Sequence, residues 1–264
     1  MPTRVLRVFT CALLLALTVQ PVAAQWGRHA TYKPGWERLR QSAVNALHHP
    51  MTLIPVAAGL AFFASGHDED WARSLNRDAP VFGNPKRADE QSDVYRLAGD
   101  QLWILSMLLT DSGKEHVLEN KLKGTLVQVG AVNATYFASN SFKGLVDRGE
   151  PARAKDDRPG EAFTSNHAMG AFAHASLIRE NMRHTRLARP LANGLVAAGY
   201  VAAAGSSWGR IEAGDHHVSD QLVGAGVANF IATFINDAFM GESMSVQVGV
   251  GPQGGYAMSL LIPF

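Results

Sequence analysis

The chain has 264 residues, 47% of them apolar, with 24 Lys and Arg against 23 Asp and Glu. That length can bury a substantial core, and either one large domain or two small ones are allowed. The charges nearly cancel, and there is no basic stripe and no interleaving of basic with aromatic residues, so a nucleic-acid binder is excluded.

At the N-terminus Arg4 and Arg7 precede an apolar run from Val8 to Val19, followed by Gln20-Pro21 and Val22-Ala23-Ala24. A positive start, a short apolar stretch and a small-residue site make residues 1–24 a signal peptide, cut before Gln25. The run is too short for a spanning helix, which needs about 20 apolar residues. Cleavage would remove Cys11, the only cysteine, and would take Lys and Arg from 24 to 22. A mature protein without disulfides has to be held by its core alone, and export without them suits a periplasm.

From Gln25 to Pro50 the chain is polar apart from Trp26 and Trp36, and a short helix is expected over 37–48. Met51 to Ala64 is apolar but only 14 residues long, which fits a buried helix better than a membrane span. Asp68, Glu69 and Asp70 follow; Asp68 or Asp70 suits the start of the next helix, and the cluster reads as a solvated helix start before a metal site. Pro80, Gly83 and Pro85 make 77–93 a predicted loop. Helices are then expected over 94–109, 115–142, 165–180, 187–204 and 221–239. The longest is marked by Leu118, Leu122, Leu126, Val129 and Val132 at helical spacing. Gly194, Gly199, Gly224 and Gly226 would let helices approach closely. Gln128, Asn133 and Asn140 in the longest helix, with a mean hydropathy of −0.03, favour a soluble bundle over a polytopic membrane protein.

The tail changes period. Val246, Val248 and Val250 alternate, Gly251-Pro252-Gln253-Gly254-Gly255 turns, and Tyr256 to Ile262 returns as a second strand. The expected fold is therefore all-α, a compact helical bundle over 25–241, with a short C-terminal β-hairpin over 242–264 packed on or beside it.

The densest polar island between apolar segments is Gly209-Arg210-Ile211-Glu212-Ala213-Gly214-Asp215-His216-His217-Val218-Ser219-Asp220. Titratable groups packed this closely are costly unless they share a site. If a helix begins near Val218, His216 and Asp220 lie one turn apart, where the carboxylate can hold the imidazole. Asp215, His216, His217 and Asp220 also allow a metal-cluster reading. Two upstream stretches suit the same site. Lys143 to Pro151 closes the longest helix. Thr164-Ser165-Asn166-His167 opens another, where backbone N–H groups and the helix dipole favour an anion such as phosphate.

In this order and spacing, with 12 residues between the first two stretches and 41 between the second and third, the motifs resemble the type 2 phosphatidic acid phosphatase (PAP2) superfamily. The superfamily includes bacterial acid phosphatases and vanadium haloperoxidases, and its pattern is K-x6-R-P, P-S-G-H and S-R-x5-H-x3-D. The resemblance implies an all-α phosphohydrolase without a metal or other cofactor, acting on a phosphorylated small molecule or a lipid phosphate. It implies that His216 attacks phosphorus, Asp220 fixes its tautomer and His167 serves as acid and then base. Lys143, Ser165, Asn166 and Arg210 would hold the phosphoryl oxygens. The chain departs from the pattern at Thr164, Asn166 and Gly209, and at Glu150, which stands where the family has arginine. A charge reversal there acts against an anion, and Arg148, Arg153 or Arg158 would be the replacement cation. A second reading follows from Glu150: a protein that keeps the fold and part of the pocket but turns over poorly. A vanadate-dependent haloperoxidase is a third. Membrane-surface contact and self-association are both compatible with the Ala/Gly-rich helices.

Overall fold

Proline and small polar caps write half of the helix starts. The computed structural model describes residues 25–146, 148–151, 162–241, 246–250 and 256–260. Eight helices are present among them: α1 (Trp36–His48), α2 (Pro50–Ala64), α3 (Asp68–Asp78), α4 (Pro85–Leu108), α5 (Val117–Leu145), α6 (Asn166–Arg183), α7 (Arg189–Ala213) and α8 (Val218–Met240). Pro50, Pro85 and Pro190 sit in the first turns of α2, α4 and α7, where a missing N–H costs nothing. Asn84 Oδ1 accepts from Arg87 N at 2.9 Å to cap α4, and Ser165 Oγ accepts from Ala168 N at 3.3 Å to cap α6.

The core lies between α5, α6 and α8. Ala131 and Val132, Met169, Ala173 and Leu177, and Ala228 and Ala232 form its centre, with Phe172, Tyr136 and Trp103 against it. Because so much of it is alanine, the helices approach closely, and glycine marks several crossings. A Cβ on Gly226 would stand 2.6 Å from the Thr52 carbonyl oxygen of α2, and one on Gly199 2.8 Å from Ile178 Cδ1. Gly194, by contrast, has nothing within 4 Å, so it does not mark a crossing.

Three boundaries differ from the sequence-based expectation. The predicted loop 77–93 is mostly helix: α3 reaches Asp78, and α4 starts at Pro85 behind its Asn84 cap. The predicted 187–204 helix runs on to Ala213, because the glycines that look like breakers are contact points with α4. At Gly205 a Cβ would lie 2.7 Å from the Tyr95 ring, and at Gly209 it would lie 2.7 Å from the Ala88 carbonyl oxygen. α2 is not a buried helix: Leu53, Ile54, Leu60 and Phe63 are exposed.

Trp26, in the stretch read as polar, is buried, and its Nε1 donates to Asn181 Oδ1 at 2.9 Å. Beyond the bundle, β1 (Val246–Val250) pairs antiparallel with β2 (Tyr256–Leu260). Residues 1–24, Arg153, Arg158, the 251–255 turn and the side chains of both strands lie outside the described residues.

The outward face of α5 has a composition unlike that of a water-facing helix. Leu118, Leu122, Leu126 and Phe137 are 73%, 56%, 71% and 76% exposed, on one side of the helix, and Leu145 at its end is 78% exposed. Among the described residues α8 is the one helix long and apolar enough to cross a membrane by itself, and 56% of that stretch is buried. The bent pair α1 and α2 passes the same test together.

Candidate active site

α7 ends at Gly214, which takes up a left-handed conformation with φ of 85° and whose N–H closes on the last carbonyls of the helix. That turn throws Asp215, His216 and His217 into the short segment before α8. Glu212, fully buried on the last turn of α7, accepts from Val81 N and Phe82 N at 2.9 Å each and from Trp208 Nε1 at 2.7 Å. The start of α4 is thereby tied to the end of α7.

His216 is 5% exposed, and its Nδ1 lies 2.7 Å from the carbonyl oxygen of Ala162. A carbonyl can only accept, so Nδ1 carries the hydrogen and Nε2 keeps its lone pair. Burial pushes the His216 pKa down to about 3; Asp220 and the Ala162 carbonyl oppose that, and Arg210 and Lys143 add to it. The ring is neutral at neutral pH, with one nitrogen held and the other basic.

The expected His216–Asp220 hydrogen bond is absent. Asp220 Oδ2 instead accepts from His217 N at 2.8 Å and pairs with His217 Nδ1 at 3.0 Å, while Oδ1 accepts from Arg148 Nη1 at 2.6 Å. The cause is local: His217 is the N-cap of α8 and Asp220 its third residue, so the two close a capping box. The Ala162 carbonyl takes the tautomer-fixing role, and Asp220 acts on His216 through its charge.

Arg148 does not point its fork at open space. Nη1 donates to Ser219 Oγ at 2.7 Å as well as to Asp220, Nη2 donates to Asp68 Oδ2 at 2.7 Å, and the guanidinium lies 5.2 Å from the Phe63 ring centre. Asp68 also accepts from Ser219 N at 3.2 Å and pairs with Ser219 Oγ. Burial raises the Asp68 pKa, but bonds from Ser219 and Arg148 together outweigh it and hold the carboxyl below its usual range. Asp68 thus belongs to a buried ion cluster held by Arg148, whose fork is engaged there instead of free for a phosphate, while Glu69 and Asp70 beside it are solvated as expected. Glu150 is half-buried, and the Pro151 carbonyl beside it accepts from Arg73 Nε at 3.2 Å.

The remaining residues frame His216. Lys143, in the last turn of α5, is half-buried and acts electrostatically on His216. Ser165 is fully buried as the α6 cap, and Asn166 Nδ2 donates to Asn140 Oδ1 at 3.1 Å. His167 follows in the first turn, with Nε2 3.1 Å from Asp93 Oδ1. Burial lowers its pKa and Arg210 adds to this; the Asp93 bond pulls the other way. Arg210 pairs with Asp89, and with Asp215 at 2.7 Å, while its buried Nε makes no hydrogen bond within the described residues. Lys143 and Arg210 therefore both act on His216, and Arg210 also acts on His167. Asp68, Asp89, Asp93 and the Ala162 carbonyl escape the motif reading; Asn84-Pro85 as a helix start would have put Asp89 and Asp93 on one face. Among the described residues no three His, Cys, Asp or Glu side chains converge as a metal-ligand set.

Lys143, His167, Arg210 and His216 all stand at or beside helix ends of an all-α bundle, and similarity to known proteins supports an enzyme of phosphatase type. The sequence model of the PAP2 superfamily matches residues 125–241 of the chain, the stretch that carries all three motifs. Its fold is similar to that of a transmembrane PAP2 type phosphatidylglycerolphosphate phosphatase from Bacillus subtilis, with a TM-score of 0.51 and 16% identity over 76% of this chain and 94% of that one. At that identity the likeness is one of fold. No curated protein matches the chain.

Proposed function

We propose that this protein is an exported phosphohydrolase that cleaves a phosphomonoester or a lipid phosphate or diphosphate through a phosphohistidine on His216. The observation that carries the reading is His216 itself, neutral, with Nδ1 on the Ala162 carbonyl at 2.7 Å and Lys143 and Arg210 as its cationic neighbours. In the first step the Nε2 lone pair attacks phosphorus, and the P–O bond to the leaving group breaks. His167 gives a proton to the departing oxygen. In the second step His167 takes a proton from water, whose oxygen attacks phosphorus and displaces Nε2. Lys143, Ser165, the Asn166 backbone N–H and the Nε–H of Arg210 hold the equatorial oxygens as charge spreads. Asp220 offsets the positive charge that the His216 ring gains on phosphorylation.

The exposed apolar faces of α2 and α5 support a place at a membrane surface, where a lipid phosphate would be met. One observation favours the low-turnover reading: both arginines near His216 are engaged by carboxylates, Arg148 by Asp68 and Asp220, and Arg210 by Asp89 and Asp215. One assay separates the two readings. Mature protein purified free of host phosphatases is expected to release phosphate from an aryl phosphate or a short-chain phosphatidic acid. His216→Ala is expected to lower kcat at least ~10³-fold, as removal of a covalent nucleophile does. Release no greater than that of the His216→Ala protein, on both substrates, would overturn the enzymatic reading.

A further inference from the structure

Carboxylates on α4, a helix that precedes the family-matched segment, reach across to the cationic side of the site. Asp89, Asp93, Arg96 and Asp100 recur at steps of four, three and four residues, so they share one face of the helix. Asp89 meets Arg210, Asp93 meets His167 at 3.1 Å, and Asp100 lies 2.9 Å from His174 Nδ1. The face is held in place. Gly209 admits the α4 backbone, Ser92 Oγ donates to the Ser206 carbonyl at 2.8 Å, and Glu212 grips the residues before α4.

We infer that Asp93 is a positioning residue for proton transfer by His167: it accepts the Nε2 hydrogen and so leaves Nδ1 as the nitrogen that exchanges a proton with the reacting groups. This rests on the acid–base role proposed for His167. A carboxylate is an acceptor, so Nε2–H stays on Asp93 in both protonation states of the ring. When the P–O bond breaks, the Nδ1 proton passes to the leaving oxygen, which takes the bonding electron pair. The ring is then neutral and still tethered through Nε2. When water attacks, its proton goes to Nδ1, and the P–N bond to His216 returns its electrons to Nε2 of that residue.

The charged groups around the pair set the sign of the effect. Arg96, 3.6 Å from Asp93 on α4, and Arg210, from α7, both disfavour a second positive charge on His167, as burial does. Asp93 is the charge that favours it, and the hydrogen bond from His167 in turn keeps the Asp93 carboxyl below its usual range. Without Asp93, His167 loses its proton at lower pH.

The test is the pH dependence of kcat/KM for aryl phosphate hydrolysis in wild type, Asp93→Asn, Asp93→Glu, His167→Ala and the Asp93→Asn/His167→Ala double variant. Asp93→Asn is expected to lower kcat about 10- to 100-fold, within the usual reach of general acid–base catalysis. It should also move the alkaline limb, where the acid form of His167 is lost, to lower pH. Asp93→Glu should return the limb towards its original position, and in the His167→Ala background Asp93→Asn should cost nothing further. Asp93→Ser gives the same two readouts should the amide variant fold poorly. If His167→Ala impairs the enzyme but Asp93→Asn leaves the limb unmoved, or costs as much without His167 as with it, the Asp93 assignment is overturned alone. If His167→Ala keeps wild-type activity, the His167 role falls first, and this assignment with it.

Discussion

The nucleophile proposed at His216 must be unprotonated on the attacking nitrogen and held by the other, and the Ala162 carbonyl on Nδ1 suits both conditions. That arrangement frees Asp220 for a structural task, in which a buried arginine serves two carboxylates. The Arg148 side chain is 16% exposed, and those of Asp68 and Asp220 are 4% and 0%. Taking the cation away strands two buried anions, and breaking a buried pair from one side costs roughly 3–5 kcal/mol. Arg148→Gln is therefore expected to lower unfolding free energy by about that amount in denaturant titration. Arg210→Gln should cost less, because its partners Asp89 and Asp215 are 53% and 14% exposed, more than those of Arg148, and water takes up part of the lost interaction. Equal losses in the two variants would mean that the cluster around Asp68 contributes no more than a surface pair. That Lys143 closes one helix while Ser165 and His167 open another could be read from the sequence, because each spacing belongs to a single helix end. The Ala162 carbonyl could not, since a backbone acceptor carries no residue signature, and neither could the exchange of Asp220 from His216 to His217. Both histidines lie within reach of one carboxylate, and cap geometry chooses between them.

The candidate site is built from helix ends, and what sets its geometry is how closely α4 and α7 pack. Gly209 stands where the family pattern has serine, and the reason is steric: a side chain there meets the Ala88 carbonyl oxygen at 2.7 Å and Ser92 Cβ at 2.8 Å. Backbone at that distance cannot rotate aside, so Gly209→Ser should push the helices apart, at an overpacking cost of about 1–3 kcal/mol. Activity should fall with stability, because the shift also carries Arg210 away from Asp89 and His167 away from Asp93. Gly194→Ala on the same helix is the control. It enters open space, and helix propensity alone should stabilise it by up to about 1 kcal/mol. Thermal unfolding and phosphate release on both variants check the pair, and a Gly209→Ser protein that matches wild type in both would refute the close-contact argument. The same packing explains why α4 was only half legible. Its apolar second half carries periodicity, but its first half is polar and follows a proline-rich stretch, so it resembles a loop. It is helical because Asn84 caps it, Pro85 starts it and α7 covers it, and the last of these is invisible to local sequence.

At the scale of the whole molecule, composition and surface point in different directions. A near-zero mean hydropathy suits a soluble protein, yet a share of the polar side chains that produce it lies inside, in networks such as Trp103–Gln128–Asn181–Ser106. The outside of α5 is then left with Leu118, Leu122, Leu126, Val129, Phe137 and Leu145, and the outside of α2 with Leu53, Ile54, Leu60 and Phe63. Faces of this size and continuity are rare on monomers in water. Charge, by contrast, collects at the ends of α5, with Lys114, Glu115, Glu119, Lys121 and Lys123 at its start and Lys143 at its finish. An apolar middle between polar ends is the distribution expected of a protein held in contact with lipid. The protein is therefore expected to float with phosphatidylglycerol-containing vesicles in a density gradient. Leu118→Gln/Leu122→Gln/Leu126→Gln, which touches no core residue and no site residue, should cut the bound fraction several-fold while leaving aryl phosphate hydrolysis intact. Retention of binding by the triple variant would clear α5 of that role. A wild-type protein that stays out of the vesicles but sediments as an oligomer, and a triple variant that sediments as a monomer, would assign the face to a second copy of the chain.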